Sequence, residues 1–262
     1  MPIPSDTYDR DYFLSEWCEG FDRFRDDRGL SRIKQKLFRI VAPGPRMRVL
    51  DAGCGRGEFL LACSRAGAEV AGIDYSEAAV EISHETLADV AGADVRQGDV
   101  TALPWPDESF DRVLFGDVIE HLDPDQAHAA LREFRRVLKP GGLLLIHTAP
   151  NRLFLKVSWP LARPVLRAIG RGEAVDTMNG WLEGARRYHV NEQTVFSMRR
   201  SLRDAGFEGP RAWIDPDVMR EGEHRLTDGI DELPLMGLVA RVAAARPIRL
   251  FLGNDLFATA RK

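Results

Sequence analysis

The feature that most constrains this chain is a repeated alternation of short apolar runs with helical patterns, broken by a glycine-rich turn after the first run. The runs are Arg48 to Leu50, Glu69 to Ile73, Val95 to Gln97, Arg112 to Phe115 and Leu143 to Thr148. Between them the spacing predicts helices over Gly57 to Ala66, Ser76 to Val90 and Asp125 to Leu138. Runs too short for helices, separated by single amphipathic helices, predict parallel βαβ units and a doubly wound α/β sheet. Right-handed crossovers then gather the strand C-termini along one edge, where such sheets bind ligands.

Residues 1–45 read as a helical N-terminal cap, with Tyr12, Phe13, Trp17, Phe21 and Phe24 at helical spacing, ended by Pro43-Gly44-Pro45. Its first helix, near Tyr8 and Tyr12, is expected to close the ligand pocket. Residues 46–262 form the main domain. Within it, residues 149–188 break the rhythm and read as an insertion serving as lid or substrate-binding segment. A helix follows over Glu192 to Ala205, with Gly206 at its C-terminal cap. Residues 207–214 and 254–261 read as two more strands, with a helix near Leu235 to Ala245 between them.

The 262 residues carry a net charge of −4, which gives no global basic footprint of the kind a nucleic-acid binder shows. The three cysteines, Cys18, Cys54 and Cys63, have no metal-ligand spacing. The N-terminus lacks a signal-peptide pattern and no apolar run nears the ~20 residues of a membrane span, so a cytoplasmic protein is expected.

The chemistry lies at the strand ends. Asp51 opens Gly53-Cys54-Gly55-Arg56-Gly57, a strand-to-helix turn in which glycine admits sharp backbone turns and close ligand approach. The spacing differs from the Gly-x-Gly-x-x-Gly of dinucleotide sites, and an acid there opposes a pyrophosphate while suiting an ammonium. Asp74, after the second strand, is placed to accept from ribose hydroxyls, with Tyr75 packing on a base. Asp99 follows the third strand, beside Val100, and Asp117 the fourth. Acids at four successive strand ends converge on one crevice.

With Leu103-Pro104-Trp105-Pro106-Asp107 and Leu138-Lys139-Pro140-Gly141-Gly142, these motifs make residues 48–148 resemble the class I S-adenosylmethionine-dependent methyltransferases. The resemblance implies a Rossmann-like seven-stranded sheet whose last strand is antiparallel, and S-adenosylmethionine as cofactor. It implies Asp51, Gly53, Cys54 and Gly55 around the methionine, Asp74 and Tyr75 at the nucleoside, Asp99 and Val100 at the adenine, and Asp117 near the methionine amino group.

Asp117, Glu120 and His121 stand at i, i+3 and i+4, one face of a helix, and His189 follows the insertion. Asp117, Glu120, His121 and His189 form a candidate site for a divalent metal. The alternative casts Glu120, His121 and His189 as catalytic groups, with a histidine as general base. The acid-x-x-Glu-His pattern is similar to that of ubiquinone-pathway O-methyltransferases and of small-RNA 2′-O-methyltransferases, the latter also through Pro150-Asn151.

The expected function is O-methylation of a small-molecule, glycan or lipid-linked hydroxyl. The alternatives are a metal-dependent RNA 3′-terminal 2′-O-methyltransferase, a nicotinamide oxidoreductase and a non-catalytic S-adenosylmethionine-binding protein. In the insertion, Arg152, Lys156, Arg163, Arg167 and Arg171 fall within about 100° of arc on a helical wheel, with apolar residues filling the rest. The segment 152–171 is therefore a candidate for peripheral membrane contact, or for a lid packing its apolar side on the sheet. Pro160 and Pro164 argue against one continuous helix there.

Overall fold

A computed structural model describes residues 7–15, 18–186, 188–215 and 249–262. Its seven strands are β1 (Arg48–Ala52), β2 (Glu69–Asp74), β3 (Asp94–Gln97), β4 (Phe110–Gly116), β5 (Leu138–Thr148), β6 (Glu208–Ile214) and β7 (Leu256–Arg261). They form one sheet in the order β3-β2-β1-β4-β5-β7-β6. The pairs from β3 through β5 are parallel, and β7 runs antiparallel to both β5 and β6. The doubly wound sheet with an antiparallel last strand is as expected.

The order reverses between β1 and β4, so the C-terminal ends of these two strands bound the crevice at the switch point. Strand β5 begins earlier than the apolar run suggested. Leu138 pairs with Phe110 before a register shift, and the continuous ladder resumes at Leu143.

Helices α4 (Glu58–Arg65), α5 (Glu77–Thr86) and α6 (Pro124–Val137) make the crossovers. Helix α6 starts at a capping box, in which Asp123 accepts from the Gln126 backbone and the Gln126 side chain accepts from the Asp123 N–H. Helix α9 (Val195–Asp204) has a similar box from Thr194 and Ser197, and Gly206 follows it in the left-handed region. One face of the sheet buries Phe115, Phe134, Leu144 and Ile146, and the other buries Val49, Leu60, Leu114 and Phe257.

The N-terminal segment divides in two. Helix α3 (Arg32–Val41) is part of the main core, because Ile33, Leu37 and Val41 repeat every four residues and pack with Val49, Leu114 and Leu145. The short helices α1 (Arg10–Phe13) and α2 (Phe21–Arg25) instead lie over the crevice. Trp17 and the helix expected near Leu235 to Ala245 lie outside the described residues.

The insertion folds as a helical hairpin. A π-helical turn at Phe154–Ser158 runs directly into α7 (Trp159–Ala168), and α8 (Gly172–Ala185) returns. The two prolines do not break this path as expected. Pro160 sits in the first turn of α7, at the change from the π-helical turn, and Pro164 lies inside the helix. Phe154, Trp159, Val175 and Leu182 form a small core of their own, so the hairpin does not pack its apolar side on the sheet.

Candidate active site

A cleft of about 1950 Å³ opens at the C-terminal ends of β1, β2 and β4. It exceeds the ~300–1,000 Å³ of a typical single-ligand pocket, which leaves room for a donor and an acceptor together. The candidate cofactor, catalytic and metal residues all line it: Asp51, Gly53, Cys54, Gly55, Asp74, Tyr75, Asp99, Val100, Asp117, Glu120, His121 and His189.

The glycine turn is more constrained than a simple ligand approach requires. Gly53 has φ +91°, and a Cβ there would stand 2.2 Å from Cγ2 of Val118. Its open side is thus filled by the loop after β4 rather than kept for a ligand. The Gly53 and Cys54 N–H groups both donate to the Ile73 carbonyl, tying the turn to β2.

Asp74 closes the same turn. Its two carboxylate oxygens accept from the Gly55 and Ser76 N–H groups, each at 3.0 Å. Each oxygen keeps a second lone pair, which fits a vicinal ribose diol. Burial pushes the Asp74 carboxyl up to about 6, against the pull of those backbone bonds. Asp51, also buried, is raised well above the usual carboxylate range by desolvation. A nearby cation favours the ionised form of such an acid, and the ammonium of an amino-acid-bearing cofactor is one.

Sequence reasoning missed the charged network facing this end of the cleft. Lys34, from α3, contacts Glu58 at 2.5 Å and Glu19 at 3.8 Å. Although burial opposes it, Lys34 and Arg56 hold Glu58 down to about 2. Arg56, only 1 % exposed, donates to the Phe13 and Glu19 carbonyls and pairs with Glu58 at 2.7 Å. These bonds fasten the cap, whose Tyr8 and Tyr12 line the cleft as expected. In the sequence Arg56 is only a spacer between two glycines.

Asp117, Glu120 and His121 are not on one helical face. Asp117 takes φ +54° ahead of a single 3-10 turn, Ile119–His121. It turns to His147 on β5, with Oδ1 2.8 Å from Nδ1, while Nε2 faces Asp255 at 3.4 Å. Neither carboxylate lies on an N–H axis of the ring, so charge rather than an aligned hydrogen bond holds the trio. Burial opposes the charge on His147, but Asp117 and Asp255 keep its pKa well above the usual value. Asp117 is lowered in turn, by His147 against burial. A histidine near the C-terminal end of an otherwise apolar strand was the available signal.

The remaining three groups converge. Ligand atoms of Glu120, His121 and His189 all lie within 4.8 Å of one another, and Asp117 is not part of the cluster. The backbone builds it, since the Glu120 carbonyl accepts from the Val190 and Asn191 N–H groups at 2.8 and 3.1 Å. That clasp sets the His121 and His189 rings edge to face, 4.8 Å between centroids.

Thr148 donates to Glu120 at 2.8 Å, and burial with the nearby Asp117 pushes Glu120 up to about 8. His189 is held down to about 4 by burial and by His121, and His121 is lowered mainly by burial. Nδ1 of His121 lies 3.2 Å from the Tyr188 carbonyl and 2.9 Å from the Tyr8 hydroxyl. The Tyr188 carbonyl favours the tautomer with the proton on Nδ1 and a lone pair on Nε2, while the Tyr8 hydroxyl can donate to the opposite one.

These groups suit a divalent cation. Two imidazoles and a carboxylate are a common donor set, and Nδ1 of His189 is buried without a hydrogen-bond partner among the described residues. Asn151, of the Pro150-Asn151 pair, is not at the cleft. It is buried and donates to the Leu250 and Gly253 carbonyls, bracing the turn before β7.

Residues 50–146 match the family described as "Methyltransferase domain". Demethylmenaquinone methyltransferase of Staphylococcus aureus is 40% identical over 115 residues, covering 43% of this chain and 47% of that protein. The chain thus spans about half the length of the relatives it matches. A SAM-dependent methyltransferase from Archaeoglobus fulgidus superposes with a TM-score of 0.58 at 22% identity, over 88% of this chain and 93% of that one. Phosphoethanolamine N-methyltransferase 2 of Haemonchus contortus, solved with S-adenosyl-L-methionine, gives 0.63 at 18%, over 99% and 60%. At these identities the two structures speak for the fold, and the matched domain with its strand-end motifs carries the rest. Residues 50–146 thus carry a methyltransferase domain, on a fold shared with solved SAM-dependent methyltransferases.

Proposed function

We propose that this protein transfers the methyl group of S-adenosylmethionine to a hydroxyl of a small-molecule, glycan or lipid-linked acceptor. The observation that carries the reading is the Glu120, His121 and His189 cluster, set in the same cleft as the donor motifs. Bound S-adenosylmethionine supplies an electrophilic methyl on a sulfonium. The chain's own work is then to align the acceptor oxygen in line, exclude water and take its proton.

His121 is suited to the proton. Its lowered pKa favours the neutral ring, and in the tautomer that donates Nδ1–H to the Tyr188 carbonyl Nε2 is free to take a proton. Glu120, His121 and His189 would also hold a divalent metal, which when bound polarises an acceptor hydroxyl. The base and metal readings separate by experiment. Titration of Mn²⁺ followed by calorimetry should show one site that is lost in His189→Ala and Glu120→Ala while S-adenosylhomocysteine binding persists. Absence of metal binding, with turnover unaffected by chelator, leaves His121 as the base.

The relative named for demethylmenaquinone supports a second reading, methylation of a quinone-related acceptor at carbon. An ionised ring hydroxyl makes its neighbouring carbon nucleophilic, so the same base serves both. Product analysis with ¹³C-methyl donor distinguishes a methoxy from a ring methyl carbon. Release of S-adenosylhomocysteine from neither a phenolic nor a hydroquinone acceptor would count against both.

A further inference from the structure

The insertion hairpin has two apolar faces, and the acceptor cleft uses one of them. Trp159, Ala162 and Leu166 of α7 line the cleft, as do Met178 and Trp181 of α8. On its other side α7 leaves Leu161 68 %, Val165 60 % and Ile169 55 % exposed, and Val157 and Phe251 are exposed as well. Leu161, Val165 and Ile169 stand four residues apart and form a continuous stripe along the helix. Phe251, also exposed, is held near the start of the helix, where the Ser158 hydroxyl donates to its carbonyl.

The charges within the segment that carries this stripe are of one sign. No Asp or Glu occurs from residue 152 to residue 172, which holds Arg152, Lys156, Arg163, Arg167 and Arg171. Arg167 pairs with Asp176 of α8. Arg152, Lys156 and Arg163 are exposed and form no ion pair with any described residue. The chain as a whole carries −4, so this cationic edge is a local departure.

We propose that this outer face of α7 docks on an anionic lipid surface. The charge argues for lipid over a second copy of the chain, since two such faces would set like charges together, whereas anionic headgroups attract them. The geometry adds a consequence. The helix that dips its outer stripe into the headgroup region also forms the cleft wall, so a lipid-linked acceptor would pass from the bilayer along α7 to Glu120, His121 and His189. That consequence rests on the proposed acceptor class, while the docking itself does not.

Sedimentation of the full chain with vesicles of phosphatidylcholine alone, or with added phosphatidylglycerol, tests the docking. Binding is expected only with the anionic lipid and should weaken as salt rises. The double variant Leu161→Asp/Val165→Asp, and separately Arg152→Glu/Lys156→Glu/Arg163→Glu, should each lose about tenfold or more in partitioning. Both should keep S-adenosylhomocysteine affinity, which shows that they fold and separates failed docking from a failed donor site. No binding by the parent chain, or binding indifferent to both variants, overturns the proposal. So does a concentration-dependent dimer, lost in Leu161→Asp/Val165→Asp, in a chain that ignores vesicles.

Discussion

Asp117 and His147 meet at 2.8 Å with the histidine 1 % exposed, and a second carboxylate, Asp255, faces the other side of the ring at 3.4 Å. This trio ties β5 to the loop after β4 and to the start of β7, so it fixes where Asp117 meets the cleft. Removing the central cation leaves the buried Asp255 and the partly exposed Asp117 without compensation, and His147→Gln should cost about 1–3 kcal/mol in urea unfolding at neutral pH. The raised histidine stabilises the fold fully below its unfolded value near 6.5, and this contribution fades as pH rises through the folded one. Asp117, depressed, contributes above its unfolded value and fades as pH falls through the folded one. The cost of His147→Gln should therefore shrink at alkaline pH. An equal cost at pH 6 and pH 10 (~4 pH units apart) points to packing alone.

Asp74 predicts a pH dependence of donor binding. Ribose hydroxyls donate best to the ionised carboxylate, and in the free protein burial has pushed this group up to about 6. Below that pH the donor must displace a proton, so affinity should fall by up to about tenfold per pH unit. Calorimetry with S-adenosylhomocysteine in two buffers of different ionisation enthalpy should reveal the released proton. Asp74→Asn should weaken binding by roughly 10- to 100-fold at neutral pH and abolish this pH dependence.

The strand ends were legible because burial on both faces makes parallel strands read as apolar runs, and because Asp51, Asp74, Asp99 and Asp117 each close one. The cluster was legible in part. Glu120, His121 and His189 meet, but Asp117 leaves them, since an i, i+3, i+4 spacing cannot tell a helix from a 3-10 turn entered through a left-handed residue. The prolines of the insertion misled because their cost depends on position within the helix. The roles of Arg56 and Lys34 were illegible, for they come from partners distant in sequence, and His147 showed only as a histidine near the end of an apolar strand.

Gly53 should tolerate no side chain. Gly53→Ala pays left-handed strain at φ +91° and drives its Cβ to within 2.2 Å of Val118. The strain alone is about 1–3 kcal/mol, and the clash displaces the loop carrying Asp117. Val118→Ala in the same chain should recover only the clash. Urea unfolding of the single and double variants measures the two parts, and full recovery in the double variant would show that strain contributes nothing.

Arg56 should govern how firmly the cap covers the cleft. Among the described residues its guanidinium alone reaches both the Phe13 and the Glu19 carbonyls, and it also pairs with Glu58 and lies 5.0 Å from the Phe24 ring centre. Arg56→Met keeps much of the apolar stem but removes every one of those bonds, and it leaves Glu58 to Lys34 alone. Loss of a buried, hydrogen-bonded charge costs about 3–5 kcal/mol when global. Here the loss falls on α1 and α2, which are short and held mainly from below, so opening should be local. Amide exchange over residues 7–25 should accelerate while β1 and β4 stay protected. S-adenosylhomocysteine should dissociate faster, with its association rate less affected, because the cap slows escape from a closed cleft. Uniform loss of protection across the sheet would instead make Arg56 a support of the whole domain.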